Sequence, residues 1–103
     1  MNEIIRLHEM LNEANIPHTF TNHMSCLGFN NGYQIVVRKD DVILCDAVYT
    51  IVSYGHEKGL LEIAGALTEK EKKIDGVLGY LTAEEVFKRF KYCYENNTSL
   101  YKR

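Results

Sequence analysis

The sequence predicts a single α+β domain over residues 1–103, with elements in the order α-β-β-β-α-α-α. Apolar residues recur at helical spacing near both ends, alternate with polar residues in the middle, and are separated by Gly, Asn and Asp. The 103 residues, 46% of them hydrophobic, suffice for one buried core, and no repeat or linker divides them. We therefore expect an N-terminal helix, an antiparallel β-meander of three to four strands, two short helices and a longer C-terminal helix.

The first predicted element is a helix that begins after Asn2. An asparagine side chain can accept a hydrogen bond from an unpaired amide of the first turn, and Glu3 is favourable beside the positive end of the helix dipole. Asn15 and Pro17 end the helix, because proline has no amide hydrogen to donate. Its apolar stripe consists of Ile4, Leu7, Leu11 and Ala14.

The middle of the chain predicts antiparallel strands. Residues 18–24 alternate imperfectly and are compatible with a short first strand. Asn31–Gly32 tolerates the positive backbone angles of a tight hairpin turn, and residues 33–38 alternate behind it. A polar turn at 39–41 leads into residues 42–52, which are rich in β-branched and aromatic residues and long enough for one bent strand or two.

Asp46 lies inside the last of these strand segments. A buried carboxylate is costly without partners, so the sequence favours a solvent-exposed side chain. The alternative is a bulge at Asp46 that turns the strand.

A helix over roughly 57–66 is predicted because the apolar period changes after Gly55 from two to about 3.6. Gly55 permits a sharp turn from strand to helix, since glycine has no Cβ to clash. The residues that would share one helical face are Leu60, Ile63, Ala64 and Leu67.

Two further helix starts are predicted from capping-box spacing. Thr68 with Glu71, and Thr82 with Glu85, place a hydroxyl and a carboxylate where both can satisfy free amides. The first of these helices is short and ends near residues 75–76. The second is longer, and its apolar stripe consists of Val86, Phe87, Phe90, Cys93 and Tyr94.

Charge, apolar stretches and cysteine spacing indicate which kinds of partner and which cellular location to expect. Twelve basic and 14 acidic residues give a net charge of −2, too weak to draw the protein onto nucleic acid, so no direct nucleic-acid contact is expected. No stretch approaches the roughly 18 apolar residues of a membrane span, and we expect no membrane contact. The three cysteines lack a C-x-x-C pair, which fits a reducing, cytoplasmic location.

Residue patterns for catalysis or metal binding are weak. His18, His23 and Cys26 match no standard zinc spacing, and Cys26 near His23 is a poor candidate nucleophile. His56–Glu57 begins like a zinc-protease helix, but Leu60 stands where the second histidine is required. We therefore predict a protein that is not an enzyme, with no catalytic residues, no metal and no cofactor.

Residues 53–57, SYGHE, form the candidate site. Free amides at this helix start, with Tyr54 and His56 beside them, would suit an anion or a carbonyl group; the alternative is a purely structural turn. Seven tyrosines cannot all be buried in so small a domain, and exposed tyrosines are enriched at protein interfaces. The predicted partner- or ligand-binding residues are Tyr49, Tyr54, Gly55, His56 and Glu57.

Three segments carry a resemblance that covers roughly residues 32–91. CDAV at 45–48, SYGHEKGLLEIAGALT at 53–68 and GYLTAEEVFKRF at 79–90 resemble a pattern in small proteins encoded by phages and prophages of Gram-positive bacteria. The resemblance carries no known chemistry. It implies a genomic setting, in which small single-domain proteins often bind a component of the host.

The setting implies a non-enzymatic phage accessory protein that binds and inhibits a host defence component, such as a CRISPR nuclease, by occlusion. One alternative is an oligomeric sponge that sequesters a nucleotide immune signal at residues 54–56 and an adjacent subunit. Positive side chains beside the turn would favour the sponge. Another alternative is a structural phage protein that acts by self-association into a homo-oligomer.

Overall fold

A five-stranded antiparallel sheet with two helices packed on one face organises the chain. The computed structural model describes residues 2–26 and 29–102, with the side chains of 22–31 outside that description. The α+β class and the first and last helices are confirmed, but the sheet has five strands and not three to four. In chain order the elements are α1 (Glu3–Glu13), β1 (Thr19–Cys26), β2 (Phe29–Lys39), β3 (Val42–Tyr49), a 3₁₀ turn (His56–Lys58), β4 (Leu61–Gly65), α2 (Glu69–Ile74), β5 (Leu78–Leu81) and α3 (Ala83–Asn96).

The strands form a meander in which each is antiparallel to the next, from β1 to β5. Ile35 lies opposite Ala47, and Ala47 lies opposite Ile63, so these buried side chains form a row across the sheet. Successive side chains in a strand point to opposite faces. Gln34 and Val48 therefore lie on the other, half-exposed face.

The two long helices bury apolar stripes against this row. Ile4, Leu7 and Leu11 of α1 have no exposed surface, as predicted, whereas Ala14 is exposed because it lies at the C-cap. Burial of this apolar surface is the main favourable term in folding. Buried residues of α3 are Ala83, Val86, Arg89, Phe90 and Cys93, while Phe87 and Tyr94 are half-buried.

Three of the four predicted helix starts, those at Asn2, Thr68 and Thr82, are confirmed. Asn2 Oδ1 accepts a hydrogen bond of 3.0 Å from the Ile5 amide, and both capping boxes, at Thr68 and Thr82, are complete. Glu3 Oε1 also accepts from the Ala83 amide at 2.8 Å. The N-terminal turns of α1 and α3 are therefore tied together across 80 positions of sequence.

The hairpin turn predicted at Asn31–Gly32 is wrong. Gly32 lies within β2 and pairs with Met24, and the pairing of the two strands continues to Cys26 with Phe29. Residues 27–28 lie outside the described residues. Asn-Gly favours a turn only locally, whereas pairing with β1 extends the strand. The turn predicted at 39–41 is confirmed, with left-handed backbone at Asp40 and Asp41.

The helix predicted over 57–66 is also wrong. This segment contains the 3₁₀ turn and then β4, in which Leu61 and Ile63 are buried and residues 62 and 64 are half-buried. Apolar residues at 60, 61, 63, 64 and 67 satisfy both helical and strand periods. Backbone pairing with β3 on one side and β5 on the other decides for the strand. Strand β5, four residues long, was not predicted.

Residues 42–52 form one strand, β3, followed by a turn, and the bulge lies away from Asp46. Val37 is opposite Cys45 and Arg38 is opposite Ile43, so the extra residue is Leu44. Asp46 is half-buried and not exposed as predicted. Its Oδ2 accepts a hydrogen bond of 3.1 Å from the Gln34 side-chain amide. Burial raises the pKa of the Asp46 carboxyl group.

In residues 2–26 and 29–102, none of the helices combines the length and apolar composition needed to cross a membrane.

Candidate functional site

Two successive turns connect β3 to β4. In the first, the amide and hydroxyl of Ser53 both donate to the Thr50 carbonyl, at 3.2 and 2.9 Å, and Ser53 Oγ accepts from the Thr50 amide at 3.0 Å. Both residues are buried. This closed ring of hydrogen bonds leaves Ile51 and Val52 exposed at the tip of the turn.

The second turn is built on Gly55, whose φ of 101° is strained for any residue with a Cβ. A Cβ at Gly55 would also lie 2.9 Å from the Tyr80 amide nitrogen of β5. On the facing strand, a Cβ at Gly79 would collide with Tyr54. The two glycines therefore allow the turn to approach β5 closely, and the Tyr80 amide donates to the Tyr54 carbonyl at 3.3 Å.

Two tyrosines project from this contact. Tyr54 is 53% exposed and Tyr80 is 50% exposed. Tyr80 has a φ of 61°, which is rare for a bulky residue, and its hydroxyl donates to Glu57 Oε2 at 2.6 Å. This hydrogen bond lowers the pKa of Glu57 and raises that of Tyr80.

Two amides of the turn are occupied within the protein. The Tyr54 amide donates to Glu62 Oε1 at 2.8 Å, and the His56 amide donates to the Ser53 carbonyl at 3.2 Å. The carboxylates of Glu57 and Glu62 also flank the turn, and Lys58 within it supplies one positive charge. The occupied amides and the excess of carboxylates disfavour the predicted binding of an anion at this turn.

A groove of about 390 Å³ adjoins the two tyrosines. Ile74, 73% exposed, forms part of its wall. The lining contains two acidic residues and no basic residue, and one of them, Glu71, is already paired with Arg89. The residues that line the groove are Tyr54, Glu71, Ile74, Asp75, Val77, Leu78, Gly79 and Tyr80.

The structure brings Tyr54, Gly55 and Glu57 together, and it places Tyr49 beside His56 but outside the groove. Tyr49 is half-buried on the helix-covered face of the sheet, where its ring lies 6.5 Å from that of Tyr33. A long hydrogen bond of 3.5 Å from its hydroxyl to the His56 carbonyl links it to the turn. The sequence could not indicate Tyr80, because its place depends on β5, which no local pattern predicted.

His56 is held by the turn itself. Its Nδ1 lies 2.8 Å from the Ser53 carbonyl oxygen and 3.8 Å from Glu57 Oε1. The ring is half-buried.

The other polar candidates lie apart from this surface. His18 Nε2 is 2.8 Å from His8 Nδ1, while the side chains of His23 and Cys26 lie outside the described residues. Cys45 and Cys93 are buried, and burial raises the pKa of both thiols, that of Cys93 to about 11. Within the described residues, no three His, Cys, Asp or Glu side chains are grouped so that they could hold a metal ion.

No protein-family model, curated protein or solved structure matches the chain. The observations that bear on function are therefore those of its own surface. They are two half-exposed tyrosines fixed by glycine contacts and carboxylate hydrogen bonds, with an apolar groove beside them.

Proposed function

We propose that this protein acts by binding another protein through the Tyr54 surface, which comprises Ile51, Val52, Tyr54, Ile74 and Tyr80. One observation carries the proposal. In the part of the chain that the structure describes, seven large apolar side chains are exposed. Three of them, Tyr54, Ile74 and Tyr80, line one groove, and Ile51 and Val52 lie in the turn directly before Tyr54. Apolar clusters of this kind, rich in tyrosine, are typical of protein interfaces.

The tyrosines are held in place before any partner arrives. Gly55 and Gly79 fix the two backbones against each other, and Glu57 and Glu62 hold the Tyr80 hydroxyl and the Tyr54 amide. A preordered side chain loses less conformational entropy on binding. Left-handed backbone at an exposed tyrosine is also the kind of strain that occurs at binding sites.

The partner that we propose is a host defence protein, such as a CRISPR nuclease, in the bacterial cytoplasm. Support for this identity comes from the resemblance to phage and prophage proteins. Inhibition would follow from occlusion, without covalent chemistry.

Affinity capture with matched variants tests the surface. The wild-type protein and the variant Tyr54→Ser are used as baits in a lysate of a Gram-positive bacterium, with Val42→Ser as control. Val42 is 59% exposed at the opposite end of β3, so the control also removes an exposed apolar side chain. We expect wild type and Val42→Ser to capture one protein in stoichiometric amount, and Tyr54→Ser to lose it. Equal capture by all three baits would show that the Tyr54 surface is not the binding surface.

Inhibition is tested with the captured protein in purified form. If it is a nuclease, stoichiometric addition of the wild-type protein should abolish DNA cleavage. Addition of Tyr54→Ser in the same amount should leave cleavage unchanged. If the protein were instead an enzyme that inactivates the nuclease, it would inhibit at amounts far below one molecule per nuclease molecule. Measuring the mass in solution separates the alternative of self-association, since a homo-oligomer that Tyr54→Ser dissociates would place a second copy of the chain on this surface.

A further inference from the structure

A second groove lies on the far side of α3, between its outer face and the C-terminal tail. Its volume is about 650 Å³, within the range of small-molecule sites. The residues that line it are Phe87, Lys88, Lys91, Tyr92, Glu95, Tyr101 and Lys102.

The charge of this groove differs from that of the Tyr54 surface. Lys88, Lys91 and Lys102 are exposed and lie around it, against a single carboxylate from Glu95. Among the described residues, none of these lysines is in an ion pair with a carboxylate. The net charge of the whole chain is −2, so the groove is locally positive in a chain that is negative overall.

Aromatic rings form the wall between the lysines. Tyr101 is 6% exposed, with the Arg89 guanidinium 4.8 Å from its ring centre and the Tyr92 ring perpendicular to it at 5.4 Å. The Tyr101 amide donates to the Leu67 carbonyl at 2.8 Å, which fixes the tail. Phe87 and Tyr92 are half-buried, so part of each ring is accessible in the groove.

We infer that this groove binds a nucleotide unit, with its phosphate among the three lysines and its base against Phe87 and Tyr92. Cationic side chains interleaved with aromatic rings are the arrangement by which proteins hold phosphate-linked bases. Lys88 and Lys91 lie on one side of α3, three positions apart, and Lys102 approaches from the tail. The site is separate from the Tyr54 surface and does not depend on the function proposed for it.

Fluorescence polarisation tests the site with two probes, labelled ATP and a labelled single-stranded oligonucleotide of eight thymidines. They separate a free nucleotide from a nucleic acid strand as the source of the same chemistry. The variants are Lys88→Glu and Lys91→Glu, with Lys73→Glu as control. Lys73 is exposed on α2, outside the groove, and its replacement by Glu changes the net charge by the same amount as the groove variants do.

We expect at least one probe to bind wild type, and each groove variant to weaken binding by about fivefold or more. Lys73→Glu should retain the wild-type affinity. Phe87→Leu, checked for folding by thermal melting, should weaken binding by about fivefold through loss of stacking. Failure of both probes to bind at millimolar concentration, or equal weakening by Lys73→Glu, would overturn the inference. Because Tyr54 lies outside the groove, Tyr54→Ser should bind both probes like wild type even if it loses its protein partner.

Discussion

Tyr80 and Glu57, 23 positions apart, meet through a hydrogen bond of 2.6 Å from the phenol to the carboxylate. It joins the turn after β3 to the edge strand β5. Tyr80 has a left-handed backbone, and its ring is exposed beside Tyr54. The hydrogen bond to Glu57 helps to hold this ring in one orientation.

Replacing Tyr80 by Phe should raise the pKa of Glu57 toward its ordinary value, since the hydrogen bond from Tyr80 is the largest cause of the lowering. A carboxylate with a lowered pKa in the folded state stabilises the fold above its unfolded pKa, and this contribution is lost as the pH falls. Titration followed by carbon NMR measures the pKa directly. Tyr54→Phe is the control, and an unchanged Glu57 pKa in Tyr80→Phe would show that the bond is absent in solution.

Loss of the ion pair between Glu71 and Arg89 should destabilise the protein. The two terminal guanidinium nitrogens, Nη1 and Nη2, donate to the carboxylate at 2.8 and 3.0 Å, and Arg89 is buried. Glu71→Gln should lower the free energy of unfolding at pH 7 by about 2–3 kcal/mol, because a buried cation loses its partner. Urea denaturation measures this change. Glu69→Gln, on an exposed residue of the same helix, should change stability by less than about 0.5 kcal/mol.

The same ion pair predicts a pH dependence. Arg89 lowers the pKa of Glu71 from 4.5 to about 2. Its contribution to stability is therefore full above about pH 4.5 and declines as the pH falls toward 2. The stability difference between wild type and Glu71→Gln should shrink over this window, and a constant difference would contradict the lowered pKa.

Truncation of two adjacent leucines distinguishes strand from helix in β4. Leu61 is fully buried, whereas Leu60 is half-buried before the strand begins. Leu61→Ala should cost about 2–5 kcal/mol, as for other buried leucines, and Leu60→Ala about 1 kcal/mol. Thermal or urea unfolding gives both values. The helix predicted over 57–66 would place Leu60, and not Leu61, on the buried face, so the reverse order of costs would favour that helix.

A methyl group at Gly79 should disturb the Tyr54 surface. An added Cβ there would collide with Tyr54 Cβ and lie 2.8 Å from the Tyr54 carbonyl oxygen. Gly79→Ala should therefore cost about 3 kcal/mol by overpacking, and it should weaken binding at Tyr54. Gly59→Ala is the control, since its Cβ would meet no atom within 4 Å and only the left-handed backbone adds a cost of about 1 kcal/mol. Equal loss of stability in the two variants would contradict the close packing.

Local patterns were sufficient where one short segment specifies its own structure. Asn2, Thr68 and Thr82 begin helices because each side chain bonds to amides within the next few residues. The Asp40–Asp41 turn forms for a similar reason, since both residues tolerate the left-handed backbone there. By contrast, the Asn31–Gly32 preference was overridden by pairing with β1.

The candidate site was predicted only in part. The glycine turn in the sequence grouped Tyr54, Gly55, His56 and Glu57, and these residues lie together in the folded chain. Tyr80 was missed, because β5 is four residues long and acquires its strand structure by pairing with β4. The groove beside α3 was missed as well, since its tail residues and helix residues meet only in the folded chain.

The sequence alone determined the α+β class, the two long helices and the polar turn between β2 and β3, because these depend on interactions between residues close in the chain. Tertiary structure decided that residues 61–65 form a strand, that β5 exists and that Tyr80 stands beside Tyr54. Each of these depends on backbone pairing or contact between distant segments. An apolar segment that fits two periods adopts the one that its neighbours in space can pair with.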